Sequence, residues 1–151
     1  MPKPKVPSWR YQVTDRPDPV DVYGRTKLAG EPSGDHVLTI RTSFVGLEGG
    51  LAAWLAEQRG TVQGYANSYW TGTSVQTLAD VLVKAAEDQL TGLHHAASAE
   101  KVSKSWLLTE LVRLLGLDVK IESVDEPRID RALEATIELP PLETALQRLV
   151  S

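Results

Sequence analysis

Val37-Leu-Thr-Ile-Arg-Thr-Ser-Phe-Val45 is the segment that most restricts the fold. It is rich in β-branched residues, and Gly46 closes it, which predicts one buried strand. A helix-like stretch, Val20 to Glu31, lies before it and ends at Pro32 and Gly34. A short helix, Leu51 to Gln58, follows and stops before Gly60. Thr61 to Trp70 reads as irregular or short-stranded, with Gly64 and Asn67 as turn formers.

The alternation continues downstream. Thr73 or Ser74 caps a helix, and Thr73 with Gln76 matches a capping box. Val75, Leu78, Ala79, Leu82, Ala85 and Ala86 keep helical spacing on one face. Gly92 to Ala96 is a strand candidate. A helix starts at Ser103, carries Leu107, Leu108, Leu111, Val112, Leu114 and Leu115 as its stripe, and meets Gly116 as its cap. Val119 to Val124 is another strand, and Pro140-Pro141 opens a last helix through Val150. Strands alternating with helices predict an α/β layered fold. Three or four strands are few for a parallel sheet covered on both faces, so the pattern reads as part of a larger fold.

Tyr23-Gly-Arg-Thr-Lys27 carries the clearest chemistry. A spacing of four puts both side chains on one helix face, about 6 Å apart along the axis. An ammonium beside a phenol favours the phenolate. Such a phenol can hand a proton to a carbonyl oxygen as hydride reaches the carbon. Alone, the pair also suits a snorkelling lysine beside a half-buried tyrosine. Its surroundings add the specificity. Asp18-Pro-Val-Asp-Val-Tyr-Gly-Arg-Thr-Lys-Leu-Ala-Gly-Glu31 resembles the catalytic segment of extended short-chain dehydrogenase/reductases, in particular the dTDP-4-dehydrorhamnose reductase-like branch. Ile40-Arg-Thr-Ser-Phe-Val-Gly46, Leu51 with Trp54 and Gln58, Gly64-Tyr-Ala-Asn67, Trp70-Thr-Gly-Thr73, Gly92-Leu-His-His95, Val102-Ser-Lys104 with Leu107-Leu108, and Asp130-Arg-Ala-Leu133 follow in that family's order.

The resemblance implies the C-terminal part of a Rossmann-like fold with its small α/β substrate-binding domain. Residues 1–15 would be an irregular arm, 16–46 a remnant of the Rossmann-like core, and 47–151 the substrate-binding domain. It implies NAD(P)H-dependent reduction of a 4-keto nucleotide sugar. Tyr23 would be the general acid and Lys27 would hold the nicotinamide ribose, so both would be catalytic and cofactor-contacting. Phe44 falls where relatives carry an aromatic residue beside the sugar. Trp54, Asn67 and Trp70 are further substrate-pocket candidates, with core packing as the competing role for the tryptophans.

Two parts of the family pattern are not found. No strand and Gly-rich loop opening a helix, which would hold a pyrophosphate, precedes Tyr23. Nor does an upstream strand offer the usual catalytic Ser or Thr; Ser8 and Thr14 do not sit in such a motif. Gly46-Leu-Glu-Gly49-Gly-Leu-Ala52 imitates a dinucleotide fingerprint, but Glu48 would place a carboxylate against phosphate, so it reads as a turn at a strand end. The expectation is a cofactor-binding half that is absent here, lost or supplied by another chain, and a chain inactive alone or self-associating. A non-catalytic sugar-nucleotide-binding or regulatory subunit is the other reading.

Composition excludes several classes. The net charge of -4 disfavours a nucleic-acid partner, which needs a basic face. Without cysteine there are no disulfides or thiolate metal sites, in keeping with a cytoplasmic protein. Adjacent His94 and His95 would face opposite sides of a strand, so no metal site is expected. No apolar stretch approaches membrane-spanning length, and no G-x-S-x-G nucleophile motif occurs. Met1 to Arg10 is basic, holds three prolines and lacks a signal-peptide core; it reads as an irregular arm, with a basic docking tail as the alternative.

Overall fold

The structure is a computed structural model and describes residues 6–151. The elements run α1 (Val22–Ala29), β1 (Leu38–Arg41), β2 (Phe44–Val45), α2 (Gly50–Ala56), β3 (Gly60–Tyr65), β4 (Ser68–Trp70) and β5 (Thr73–Ser74). Then come α3 (Val75–Glu87), β6 (Gly92–Ser98), β7 (Val102–Ser103), α4 (Lys104–Leu115), β8 (Val119–Val124), β9 (Ile129–Asp130), β10 (Ile137–Leu139) and α5 (Leu142–Gln147). The α/β class is as expected. The strands exceed the three or four visible in the sequence, because β4, β5, β7, β9 and β10 are only two or three residues long.

Four small sheets form. β6 lies between β1 and β10, parallel to both, with Arg41 opposite His95 and Leu139 opposite Ser98. β2 pairs with β5, and β3 with β8, again in parallel. β4 is flanked by antiparallel β7 and parallel β9. The partners of β1 thus come from residues 92–95.

The single strand expected over Val37 to Val45 is two. The Thr42 hydroxyl donates to the Ala96 carbonyl at 2.8 Å, and the Ser43 carbonyl accepts from Thr73 N–H. A side chain and a new partner therefore take over the ladder, and the chain passes from the β6 sheet to β5. Burial is also less than expected, since all four residues of β1 are only half-buried.

Helix α3 corrects a second reading. Its cap is Ser74, whose Oγ accepts from Thr77 N–H, while Gln76 donates instead to the Arg148 carbonyl. The buried face is Thr77, Leu78 and Ala85; Val75 and Leu82 are exposed. Thr77 can turn inward because Ser74 and Arg148 both reach its hydroxyl. Helix α4 matches its pattern, with Ser103 capping Trp106 N–H and Gly116 left-handed at φ 63°. Its Leu107, Leu108 and Leu111 join Leu55, Val62, Trp70, Leu142 and Leu146 in the main core.

Residues 6–15 are irregular in backbone but firmly tied. Tyr11 bridges Leu133, its N–H donating to the Ala132 carbonyl and its carbonyl accepting from Glu134 N–H. Arg10 reaches the carbonyls of Ser98, Ala99 and Leu133. Hydrogen-bonding groups of this irregular segment thus have partners far along the chain. The docking-tail alternative rests in part on residues 1–5, which lie outside the described residues. No helix among the described residues is long and apolar enough to cross a membrane.

Candidate active site

Helix α1 is built by its first residues. The Asp21 carboxylate accepts from Gly24 N–H at 2.6 Å and caps the helix. A Cβ on Gly24 would lie 3.0 Å from both Asp21 Oδ1 and Pro19 Cβ, so glycine suits the cap. On this turn Tyr23 and Lys27 stack as their spacing predicts, with Lys27 Nζ 5.6 Å from the Tyr23 ring centroid. Tyr23 is 70% exposed and α1 buries no side chain. The phenol is therefore open to a ligand, with an ammonium held beside it.

One strong bond ties this helix to the sheet. Just past its end, Glu31 accepts two hydrogen bonds from Arg41 of β1. The Arg41 hydrogen bond holds the Glu31 carboxyl below its usual range, against the opposing effect of burial.

The other candidates lie elsewhere. Phe44 is exposed on β2, opposite Thr73, and Trp54 is exposed on α2. Trp70 is 6% exposed and belongs to the core. Gly72 lies flat against it: a Cβ there would come within 2.2 Å of the ring and 2.5 Å of the Ser43 carbonyl. Phe44, Ser43, Gly72 and Trp70 thus gather past the carboxyl ends of β1 and β6, where open α/β sheets receive ligands. The Asn67 amide is already committed, donating to the Asp125 carbonyl and accepting from the Tyr69 hydroxyl. Among the described residues no hydrogen bond or ring contact joins Tyr23 or Lys27 to this cluster.

Recesses among the described residues include two that hold no candidate residue. One, of about 590 Å³, lies between α3, β10 and α5, lined by Val81, Ala85, Ile137 and Arg148 among others. Another, of about 350 Å³, lies between Leu28, Glu31, Val37 and Leu93.

Nothing in the sequence signals how three polar side chains would be buried. Lys101 is buried, donating to Asp130 at 2.6 Å and to the Trp9 carbonyl at 2.7 Å. His95 is 2% exposed, and its ring Nδ1 has no partner. Burial chiefly holds its ring below the usual histidine range. Lys104 lies over Trp70, with no ion pair among the described residues. Only burial distinguishes these side chains, and a sequence does not display burial.

A nicotinamide cofactor can be tested against these groups. Tyr23 offers an exposed phenol and Lys27 an ammonium 5.6 Å from its ring, groups able to hydrogen-bond a ribose hydroxyl. A pyrophosphate cradle is not found among the described residues. Gly46 and Gly49 pair with each other across a turn, Glu48 is exposed within it, and α2 has no side-chain cap. Nor is any group of three or more metal-binding side chains assembled among the described residues.

Comparison with known proteins decides the family. Residues 6–134 match the family model described as RmlD substrate binding domain. The chain belongs to the RmlD substrate binding domain family. The fold is shared with solved members of the dTDP-4-dehydrorhamnose reductase group. One from Bacillus anthracis, solved with NADP, is 20% identical with a TM-score of 0.79, over 93% of this chain and 58% of its own. One from Clostridium acetobutylicum is 19% identical with a TM-score of 0.76, over 95% and 60%. A hypothetical one from Sulfolobus tokodaii is 24% identical with a TM-score of 0.72, over 90% and 57%. The RmlD-type chain thus spans less than two thirds of the length of these structures. Among curated proteins no sequence match is found.

Proposed function

We propose that this chain forms the proton-donating and sugar-recognising part of an NAD(P)H-dependent reductase of 4-keto nucleotide sugars, working in the cytoplasm. The observation that carries this reading is the exposed Tyr23 phenol beside the Lys27 ammonium, within a chain of the RmlD substrate binding domain family.

In this reading the bound nicotinamide supplies hydride to the carbonyl carbon. Tyr23 donates its hydroxyl proton to the carbonyl oxygen, and Lys27 stabilises the phenolate left behind while binding a ribose hydroxyl. Residues 16–46 carry the proton donor, and residues 47–151 carry most of the sugar contacts. Phe44 and Trp54 offer exposed aromatic faces to the sugar, while Trp70, in the core, and Asn67, bound to the Asp125 carbonyl, support the loops around them. The dinucleotide phosphates need a cradle that the described residues do not provide. We therefore infer that the isolated chain is inactive and works with a cofactor-binding half, on a separate chain or otherwise.

The test joins this chain to the cofactor-binding half of a related reductase and follows nicotinamide absorbance with a 4-keto nucleotide sugar. General acid catalysis contributes about a hundred- to ten-thousand-fold, so Tyr23→Phe should lower turnover on that order without unfolding the chain. Turnover equal to the parent's would replace this reading with a second one, a non-catalytic sugar-nucleotide-binding or regulatory subunit. The exposure of α1, which buries nothing, is the observation that favours the second.

A further inference from the structure

Trp9 is 51% exposed, although the backbone that carries it is held from several directions. Buried Lys101 donates to the Trp9 carbonyl at 2.7 Å and to Asp130 at 2.6 Å. Arg10, next along, donates to the carbonyls of Ser98 at 2.9 Å and Ala99 at 2.6 Å. Tyr11 then makes its two backbone hydrogen bonds with Ala132 and Glu134. The Tyr11 and Trp9 rings meet edge-on, with centroids 4.4 Å apart and planes at 71°. In that arrangement Tyr11 covers at most one face of the indole. A tryptophan left half in water forgoes much of the burial that usually stabilises it. Holding its backbone in place keeps the exposed face ready for a ligand with little ordering left to do on binding.

The place of the ring matters as much as its exposure. Ser98, whose carbonyl Arg10 holds, ends β6, and its N–H donates to the Thr71 carbonyl at 2.9 Å. Gly72 follows Thr71 and lies against the Ser43 carbonyl, and Phe44 follows Ser43. A continuous run of contacts thus joins the leading segment to the cluster around Phe44, past the carboxyl end of β6, where open α/β sheets receive ligands. Phe44 and Trp9 stand at the two ends of this run. A nucleotide sugar lying along it with its sugar at Phe44 would bring its base toward Trp9.

We propose that Trp9 is a specificity-determining residue, the wall on which the nucleobase of the ligand stacks. This inference rests on the sugar-nucleotide reading given above.

The experiment titrates dTDP-glucose, and glucose 1-phosphate as a probe without a base, into the 151-residue chain at fixed ionic strength, by calorimetry. Stacking on an aromatic side chain contributes about five- to a hundred-fold in affinity per base. Trp9→Ala should lose that factor for dTDP-glucose and nothing for glucose 1-phosphate. Trp9→Phe keeps a flat ring and should stay within about threefold of the parent. Lys101 holds the Trp9 carbonyl rather than its ring, so both variants should melt near the parent's Tm. Equal dTDP-glucose affinity in parent and Trp9→Ala overturns the stacking role and leaves the sugar-nucleotide reading standing. An equal loss for glucose 1-phosphate, or equal losses in Trp9→Ala and Trp9→Phe with a lowered Tm, overturns it too, because the ring would then serve the sugar or the fold. A parent that does not bind dTDP-glucose removes that reading and this inference with it.

Discussion

Arg41 holds Glu31 in a two-pronged grip, Nε to Oε1 at 2.7 Å and Nη2 to Oε2 at 2.8 Å. Because α1 buries no side chain, this pair and the Asp21 cap fix where Tyr23 and Lys27 stand. Glu31→Gln should therefore loosen α1, with faster amide exchange over residues 22–30 and a loss of about 1–2 kcal/mol for a charge-assisted bond near the surface. Acid should erase the difference. The folded Glu31 pKa lies below its ordinary value of 4.5, so its contribution is full above 4.5 and disappears as pH falls through the folded value. Parent and variant should be equally stable there. Unchanged exchange over α1 would show that something else positions the pair.

His95 gives a second pH dependence. Burial lowers its folded pKa from 6.5, so below that value the unfolded chain takes up a proton that the folded one resists. Its contribution is thus full above 6.5 and lost as pH falls toward the folded pKa, with a slope of at most about 1.4 kcal/mol per pH unit. Denaturant curves from pH 7 to 5 should show a shallower decline for His95→Gln. Parallel declines would remove His95 as the source.

Gly72 should not tolerate a side chain. An added Cβ would overlap Trp70 and the Ser43 carbonyl, so Gly72→Ala should destabilise by about 1–3 kcal/mol or more. Gly49→Ala meets no atom within 4 Å and should change stability by less than about 0.5 kcal/mol. Thermal melts of the two variants check the contrast.

Among the described residues, the outer edge of β1 has no strand partner in the sheet. Such an edge is a template for another chain. Sedimentation velocity should show concentration-dependent association, weakened by Thr39→Lys. A parent that stays monomeric at high concentration would indicate that the edge is protected.

The sequence made the longer elements legible because their periodicity reflects burial directly. Helix α4 announces itself by its leucine stripe, Ser103 and Gly116, and the Tyr23–Lys27 contact follows from helical spacing alone. What stayed hidden was decided by side chains acting on distant backbone. Thr42 splits a β-rich run by bonding to Ala96, and Thr77 displaces Leu82 from the buried face because Arg148 satisfies it. Likewise, nothing local distinguishes Lys101, which pairs with Asp130, from Lys104, which has no ion pair among the described residues.

The bridge between Tyr11 and Leu133 also sets an order on biosynthesis. A ribosome releases Tyr11 long before the residues that receive it, and closing so large a loop carries an entropy that grows with its length. Helices α1 and α4 form from local contacts and need not wait. The leading segment must, which leaves Trp9 and Tyr11 available to chaperones until translation has passed residue 134. A nascent chain halted earlier would expose that segment as a handle for quality control.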